Sequence, residues 1–254
     1  MKLLITGGAG YLGRELVRLA DCEVVATYGR VPVPGGVPLD VRDRAAAEAV
    51  VRQVRPDVVI HTAYRQSDWR TTADGAANMA IAARGVRLVH VSSDAVFSGA
   101  DSPYDEDAMP DPITPYGAAK AAAETAVGAI DPSAVIARTS LVVGGGSTQE
   151  AMVHAIASGQ PGALFSDNIR CPIHVTDLAS ALLELARSAH AGIAHLAGPD
   201  ALSRYEMGRL IAARDGLDPA SLRTGSGPSD IRLDGARTQQ LLATRIRGAR
   251  EFLG

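Results

Sequence analysis

"LLITGGAGYLGRELVRLA", residues 3–20, decides how the chain is read. Its short apolar start reads as a strand, and "GRELVRLA" reads as a helix. Between them lies Gly7-x-x-Gly10-x-x-Gly13. Glycines let backbone turn tightly and approach a ligand closely, and a helix N-terminus presents unpaired N–H groups and positive potential. Any strand-to-helix turn can need one glycine. Three of them after a first strand and into a helix point further, to a dinucleotide pyrophosphate held by Gly7, Gly10 and Gly13 with Tyr11 and Leu12 between them.

Working outward, apolar and β-branched runs alternate with alanine-rich stretches. Strands are expected at 2–6, 23–28, 57–63, 87–93 and 134–143, with helices near 11–20, 43–54, 73–84 and 115–130. Nearly continuous apolar strands joined by helical crossovers imply a parallel sheet covered on both faces. The fold class is therefore α/β, a Rossmann-type doubly wound parallel sheet with a small C-terminal substrate lobe. The expected division is a dinucleotide-binding domain over 1–145, with 173–200 returning to it. The lobe takes 146–172 and 201–254. In "TDLASALLELARSA", Thr176 is the expected N-cap, and the helix in "SRYEMGRLIAARDG" closes at Gly216.

The 254 residues carry a net charge of -3, with 46% hydrophobic and 21% charged residues. No basic block suggests nucleic acid and no amphipathic or long apolar stretch suggests a membrane. The opening residues enter a strand directly, so no signal peptide is expected. Cys22 and Cys171 stand alone, which suits a reduced, cytoplasmic setting. The histidines form no ligand-spaced cluster, so no metal is expected.

The second strand ends in Tyr28-Gly29-Arg30, where an NAD site would place an acid for the ribose hydroxyls. Arg30 either pairs with a 2′-phosphate or is a solvated surface arginine. NADPH is accordingly the expected cofactor, with NADH still usable. Asp40 either meets the adenine edge, with Val41 packed on the ring, or caps a helix.

"PITPYGAAKAAAE", residues 112–124, places one of the chain's two lysines four residues after Tyr116. Thr114 suits an N-cap and Pro115 the first helical position. Tyr116 and Lys120 then share one helix face. A nearby cation favours the phenolate and lowers a tyrosine pKa from about 10. Chance also produces this spacing, and the bland alternative is a surface lysine beside a core tyrosine.

Taken together, "TGGAGYLG", "RPDVVIHTAY", "VSSDAVFSG", "PYDEDAMPDPITPYGAAKAAAE", "ARTSLVVGGG" and "CPIHVTDLA" resemble the extended short-chain dehydrogenase/reductases, and within them the dTDP-4-dehydrorhamnose reductase (sugar-nucleotide-binding) branch. The resemblance covers the chain to about residue 200. It implies that His61, Ala63 and Tyr64 lie beside the cofactor, and that Ser93, with Ser92 beside it, supplies the carbonyl-binding hydroxyl. It places Asp94 and Ala95 on the substrate side, and Arg170 and His174 where chain returns to the cleft. Arg170 either faces a nucleotide phosphate or is a structural surface arginine. The chain departs from the pattern at Ala95, where a tyrosine is usual, at Leu141, where a tryptophan is usual, and at Thr72, where an asparagine opens the fourth helix.

The implied activity is NADPH-dependent reduction of a nucleotide-linked 4-keto-6-deoxy sugar. Tyr116 gives the proton, Ser93 holds the oxygen, and Lys120 binds the ribose and tunes Tyr116. The alternatives are an epimerase or non-sugar ketone reductase on the same scaffold, or a non-catalytic NADP-binding regulatory subunit. A small ketone is the expected partner, and the chain a monomer or homodimer. Asp105, Glu106 and Asp107 read as a solvated loop that could border the cleft. Asp68 and Trp69 read as a cleft wall or a packing anchor.

Overall fold

The computed structural model describes residues 1–227 and 229–254. The chain runs β1 (Lys2–Thr6), α1 (Tyr11–Leu19), β2 (Glu23–Tyr28), β3 (Val37–Pro38), α2 (Arg44–Val54), β4 (Val58–His61), α3 (Gly75–Ala82), β5 (Arg87–Val91), α4 (Pro115–Ile130) and β6 (Val135–Thr139). It continues through β7 (Val142–Val143), α5 (Thr148–Ala157), β8 (Leu164–Phe165), β9 (Ile169–Arg170), β10 (Ile173–His174), α6 (Val175–Arg187) and β11 (Gly192–Leu196). The end comprises β12 (Leu202–Ser203), α7 (Arg204–Arg214), β13 (Thr224–Gly225), α8 (Ala236–Gln239) and α9 (Ala249–Leu253).

A seven-stranded parallel sheet, in the order β11-β6-β5-β4-β1-β2-β3, forms the centre. Strand residues alternate between its faces. Leu3, Ile5, Val58, Ile60, Val89, Val91, Val135 and Ala137 meet α1 and α6 on one side, through Leu16, Leu178, Leu182 and Leu185. Leu4, Val59, Leu88 and Ile136 meet α2, α3 and α4 on the other, through Val50, Met79, Ala123 and Val127. This two-sided burial explains the continuous apolar runs. Strand order reverses between β1 and β4, so a crevice opens at the C-terminal ends of these strands. α5, α7 and α9 pack around a separate apolar cluster of Val153, Ile156, Leu164, Met207, Ile211 and Leu253.

Three local expectations are corrected. The run 134–143 is two strands, because Ser140 leaves the sheet to bond Asp94 and β7 pairs with β10 instead. The helix expected near 73 begins earlier, as a π-helical turn over Arg70–Asp74 that includes Thr72. Thr176 does not cap α6. His174 does, its Nδ1 accepting the Thr176 N–H at 3.2 Å, while Thr176 Oγ1 donates to Glu15 at 2.6 Å. α7 ends at Arg214, and Gly216 follows at φ +70.

Candidate active site

The site grows from the turn after β1. Gly10 occupies the N-cap of α1 and brings no side-chain cap, so the first N–H groups of the helix, those of Tyr11 and Leu12 among them, have no side-chain acceptor from the cap. Gly7 has φ +71, and a Cβ there would lie 3.0 Å from Thr62 Oγ1 and 3.1 Å from the Ala63 backbone. A Cβ on Gly13 would lie 2.2 Å from the Gly7 carbonyl. Side chains are thus excluded from the mouth of α1, which leaves a cradle of backbone N–H groups suited to a pyrophosphate. The Tyr11 hydroxyl donates to the Gly144 carbonyl and ties the helix to the turn before α5.

Arg30 lies exposed past the end of β2. Asp40 is held by Arg42 at 2.6 Å, and that guanidinium keeps its carboxyl low, at about 2. Asp40 is not a helix cap: Asp43 caps α2 by accepting the Ala46 N–H. Val41 does not present a surface for adenine. It is 4% exposed and turned against Gly75.

At the end of β5, Ser93 caps a short 3-10 turn over Asp94–Val96. At the start of α4, Thr114 caps the helix through the Gly117 N–H at 3.0 Å, and Pro115 follows. A Cβ on Gly117 would lie 2.0 Å from the Ala95 carbonyl, so only glycine lets the helix abut this turn. That close approach sets Tyr116 beside Ser93, whose side chain favours the phenolate. Tyr64, 54% exposed, stands with its ring 5.8 Å from that of Tyr116, next to Ala63 on the crevice rim.

Lys120 does not lower the Tyr116 pKa here. Its Nζ donates to the Val91 carbonyl at 2.8 Å and lies 4.9 Å from the Tyr64 ring centre. Burial instead raises Tyr116, with the neighbouring Tyr64 adding to the rise. Burial also pulls Lys120 down to about 8, against a pull upward from Glu124.

Two residues expected at the cofactor turn inward. Ser92 donates to Glu124 at 2.5 Å, within a buried network where Arg138 grips the same carboxylate at 2.9 Å. His61 Nδ1 shares a 2.7 Å bond with Thr6 Oγ1, and its ring stacks on His90 under α4. On the substrate side, Asp94 is buried, accepting from Ser140 at 2.7 Å and pairing with Arg170 at 3.5 Å. Arg170 is therefore no surface arginine. His174 serves as a cap and packs its ring against Phe252. The acidic loop is not merely solvated either. Glu106 is buried and accepts from Thr238 at 2.8 Å, and Asp107 pairs with Arg237. Asp68 accepts from Thr71, and Trp69 stays half exposed at the π-helical turn. Among the described residues no cluster suits a metal ion, and no helix is long and apolar enough to cross a membrane.

Sequence reasoning missed Gly117 and Glu124. Both carried a signal: a glycine directly after the tyrosine, and the one acid in an alanine-rich helix, four residues beyond Lys120.

Residues 1–230 match the family described as RmlD substrate binding domain. A dTDP-4-dehydrorhamnose reductase of Mycobacterium tuberculosis is 33% identical over 244 residues, which span 87% of this chain and 78% of that protein. The methionine adenosyltransferase 2 subunit beta of Xenopus laevis is 30% identical over 253 residues, spanning 87% and 74%. Among solved structures, a hypothetical dTDP-4-dehydrorhamnose reductase from Sulfolobus tokodaii superposes with a TM-score of 0.87 at 30% identity, covering 97% of each chain.

Proposed function

The chain belongs to the RmlD substrate binding domain family, and from that premise we propose that it is an NADPH-dependent reductase of a nucleotide-linked 4-keto-6-deoxy sugar. The observation that carries this reading is the juxtaposition of Ser93 and Tyr116 where α4 abuts the turn after β5, with Tyr64, next to the Ala63 backbone that meets Gly7, 5.8 Å from the Tyr116 ring. NADPH, when bound, supplies the hydride to the ketone carbon. The backbone of Gly7, Gly10, Tyr11, Leu12 and Gly13 would hold its pyrophosphate, Arg30 its 2′-phosphate, and Ala63 and Tyr64 would border it. Among the described residues no carboxylate pairs with the exposed Arg30 guanidinium, which favours NADPH over NADH modestly. Tyr116 donates a proton to the ketone oxygen as general acid, and Ser93 donates a hydrogen bond to the same oxygen. Lys120 swings from the Val91 carbonyl to the ribose. Residues 1–145 with 173–200 hold the cofactor, while 146–172 and 201–254 close over the substrate. The protein works in the cytoplasm as a monomer or homodimer.

A second reading, a cofactor-binding subunit without turnover, is favoured by the missing aromatics at Ala95 and Leu141 and by the kinship with an adenosyltransferase subunit. One experiment separates the two. Nucleotide-linked 4-keto sugars are incubated with NADPH and followed at the nicotinamide absorbance band. At least one should be reduced by wild type, and Tyr116→Phe should lose on the order of 10²-fold in rate while still binding NADPH. NADPH binding with no oxidation of it across the panel would favour the subunit.

A further inference from the structure

Tyr11 is the only polar side chain in residues 7–13, and the proposed reduction leaves its hydroxyl unused. That hydroxyl donates to the Gly144 carbonyl, in the turn that joins β7 to α5. Burial raises the phenol, and the charges of Glu150 and Glu15 add to the rise, so it keeps the proton that this bond needs. The turn is three glycines in succession, Gly144, Gly145 and Gly146, at φ +103, +64 and +83. Glycine loses more freedom on folding than any other residue. Gly145 and Gly146 are exposed, and a Cβ on either would meet nothing within 4 Å, so packing does not fix these two residues. Hydrogen bonds at the two ends of the turn do. Tyr11 holds Gly144, whose far side is closed by His174 of β10: a Cβ there would lie 2.3 Å from the His174 Nε2. At the other end Glu150 Oε2 accepts the Gly146 N–H at 3.0 Å and the Ser147 N–H at 2.7 Å, completing the capping box of α5. Glu150 Oε1 accepts from Arg214 of α7 at 2.7 Å. Bonds and chain thus run from the first residue of α1 to α5 and α7, which share an apolar cluster apart from the sheet.

We propose that Tyr11 is a positioning residue that links the cofactor cradle to α5 and α7: its backbone N–H stands at the mouth of α1, where the pyrophosphate would lie, and its hydroxyl sets the turn from which α5 departs. The link needs only a cofactor in the glycine cradle, while its effect on turnover rests on the reductase reading above. A phosphate bonded to the first N–H groups of α1 fixes the Tyr11 main chain. The ring then has few directions open to it, because side chains occupy a small set of rotamers. Its hydroxyl holds Gly144, and the left-handed glycines that follow lose freedom that no side-chain contact removes. Cofactor binding thereby orders the joint before substrate arrives, and a joint already ordered costs less when substrate binds. Phenylalanine in place of Tyr11 would keep the ring and the main-chain N–H, and would leave the Gly144 carbonyl without this donor.

The test compares wild type with Tyr11→Phe, each with and without NADPH. Hydrogen–deuterium exchange is read by mass spectrometry over residues 144–151, where the Gly146 and Ser147 amides report the turn directly. In wild type NADPH should slow exchange there about threefold or more, the scale of one hydrogen bond. Tyr11→Phe should lose most of that slowing and still bind NADPH within a few-fold of wild type. Tyr11→Leu, which removes the ring as well, should match Tyr11→Phe. With a nucleotide-linked 4-keto sugar that wild type reduces, Tyr11→Phe should raise KM roughly threefold to tenfold and spare kcat. The link is overturned if NADPH leaves exchange at 144–151 unchanged in wild type or slows it equally in Tyr11→Phe. It is also overturned if only Tyr11→Leu loses the slowing, which would assign the effect to ring packing. Slowing by NADPH that requires the hydroxyl, with no ketone reduced, would uphold the link and sink the reductase reading. Ketone reduction with the slowing absent would do the reverse.

Discussion

Lys120 is buried at 3% exposure, and the groups around it come from three elements. The Val91 carbonyl of β5 accepts from it, Glu124 lies one turn along α4, and the Tyr64 ring lies beneath its charge. Its charge also bears on His61 and His90, both held neutral by burial. At neutral pH Tyr116, raised by burial, carries its proton, the form a donor to a ketone needs. Lys120, at about 8, is then mostly charged. If its cation eases the departure of the phenolic proton, kcat/KM for ketone reduction must fall as pH rises through about 8, where that cation is lost. A pH profile of wild type should show this alkaline limb, and Lys120→Arg, whose guanidinium stays charged, should move it upward by more than a unit. A wild-type profile flat to pH 10 would remove the Lys120 charge from the mechanism. The Tyr-x-x-x-Lys spacing placed both residues on one helix face, but spacing carries no information about a backbone carbonyl from another strand. That carbonyl is what holds the ammonium.

The start of α4 was readable because its signals are local: Thr114 and Pro115 act within one turn of their own positions. Its far half was not, because the partners of Glu124 come from the residue after β5 and from β6. Ser92 gives it a hydrogen bond, and Arg138 meets it with Nε and Nη2. Both ionic side chains are within a few percent of full burial. The same guanidinium donates to the Ala108 carbonyl and lies 4.9 Å from the Phe97 ring centre, so the pair ties α4 to the loop before it. Removing one partner of a buried pair strands the other charge, at a cost of about 3–5 kcal/mol. The exposed Arg44–Glu48 pair on α2 has ideal i,i+4 spacing and a bond of 2.8 Å, yet such pairs are worth about 0.3–0.5 kcal/mol. Urea unfolding of Glu124→Gln and Glu48→Gln should therefore differ by several kcal/mol. Similar small losses in the two variants would show that the buried network is not what holds α4 in place.

Across the whole molecule, period-two alternation and the glycine turn made the doubly wound sheet legible, because both faces of each strand follow from its own residues. The same alternation puts His61 and His90 on the α4 face, together with Thr6 and Arg138. The sequence alone did not mark these histidines as core residues, since a histidine at a strand end can as readily face a cofactor. In the fold His61, His90 and His195 are buried and neutral, with His61 lowered to about 3 and His195 to about 4, chiefly by loss of water around the charged form. In the unfolded chain each would titrate near ~6.5. Between these values the unfolded chain binds more protons than the fold, so stability rises with pH and is lost as pH falls from ~6.5 toward 4. Each histidine contributes about 1.4 kcal/mol per pH unit well inside that window. Against a typical total of about 5–15 kcal/mol, three such groups would unfold the protein in mild acid, before most carboxylates are protonated. Urea midpoints measured from pH 7.5 to 4.5 should fall steeply below pH 6. His90→Leu, which removes one of the three while filling its space with an apolar side chain, should flatten that fall by about a third. Midpoints that stay level down to pH 5 in wild type would mean that the buried imidazoles accept protons within the fold, through water admitted beneath α4.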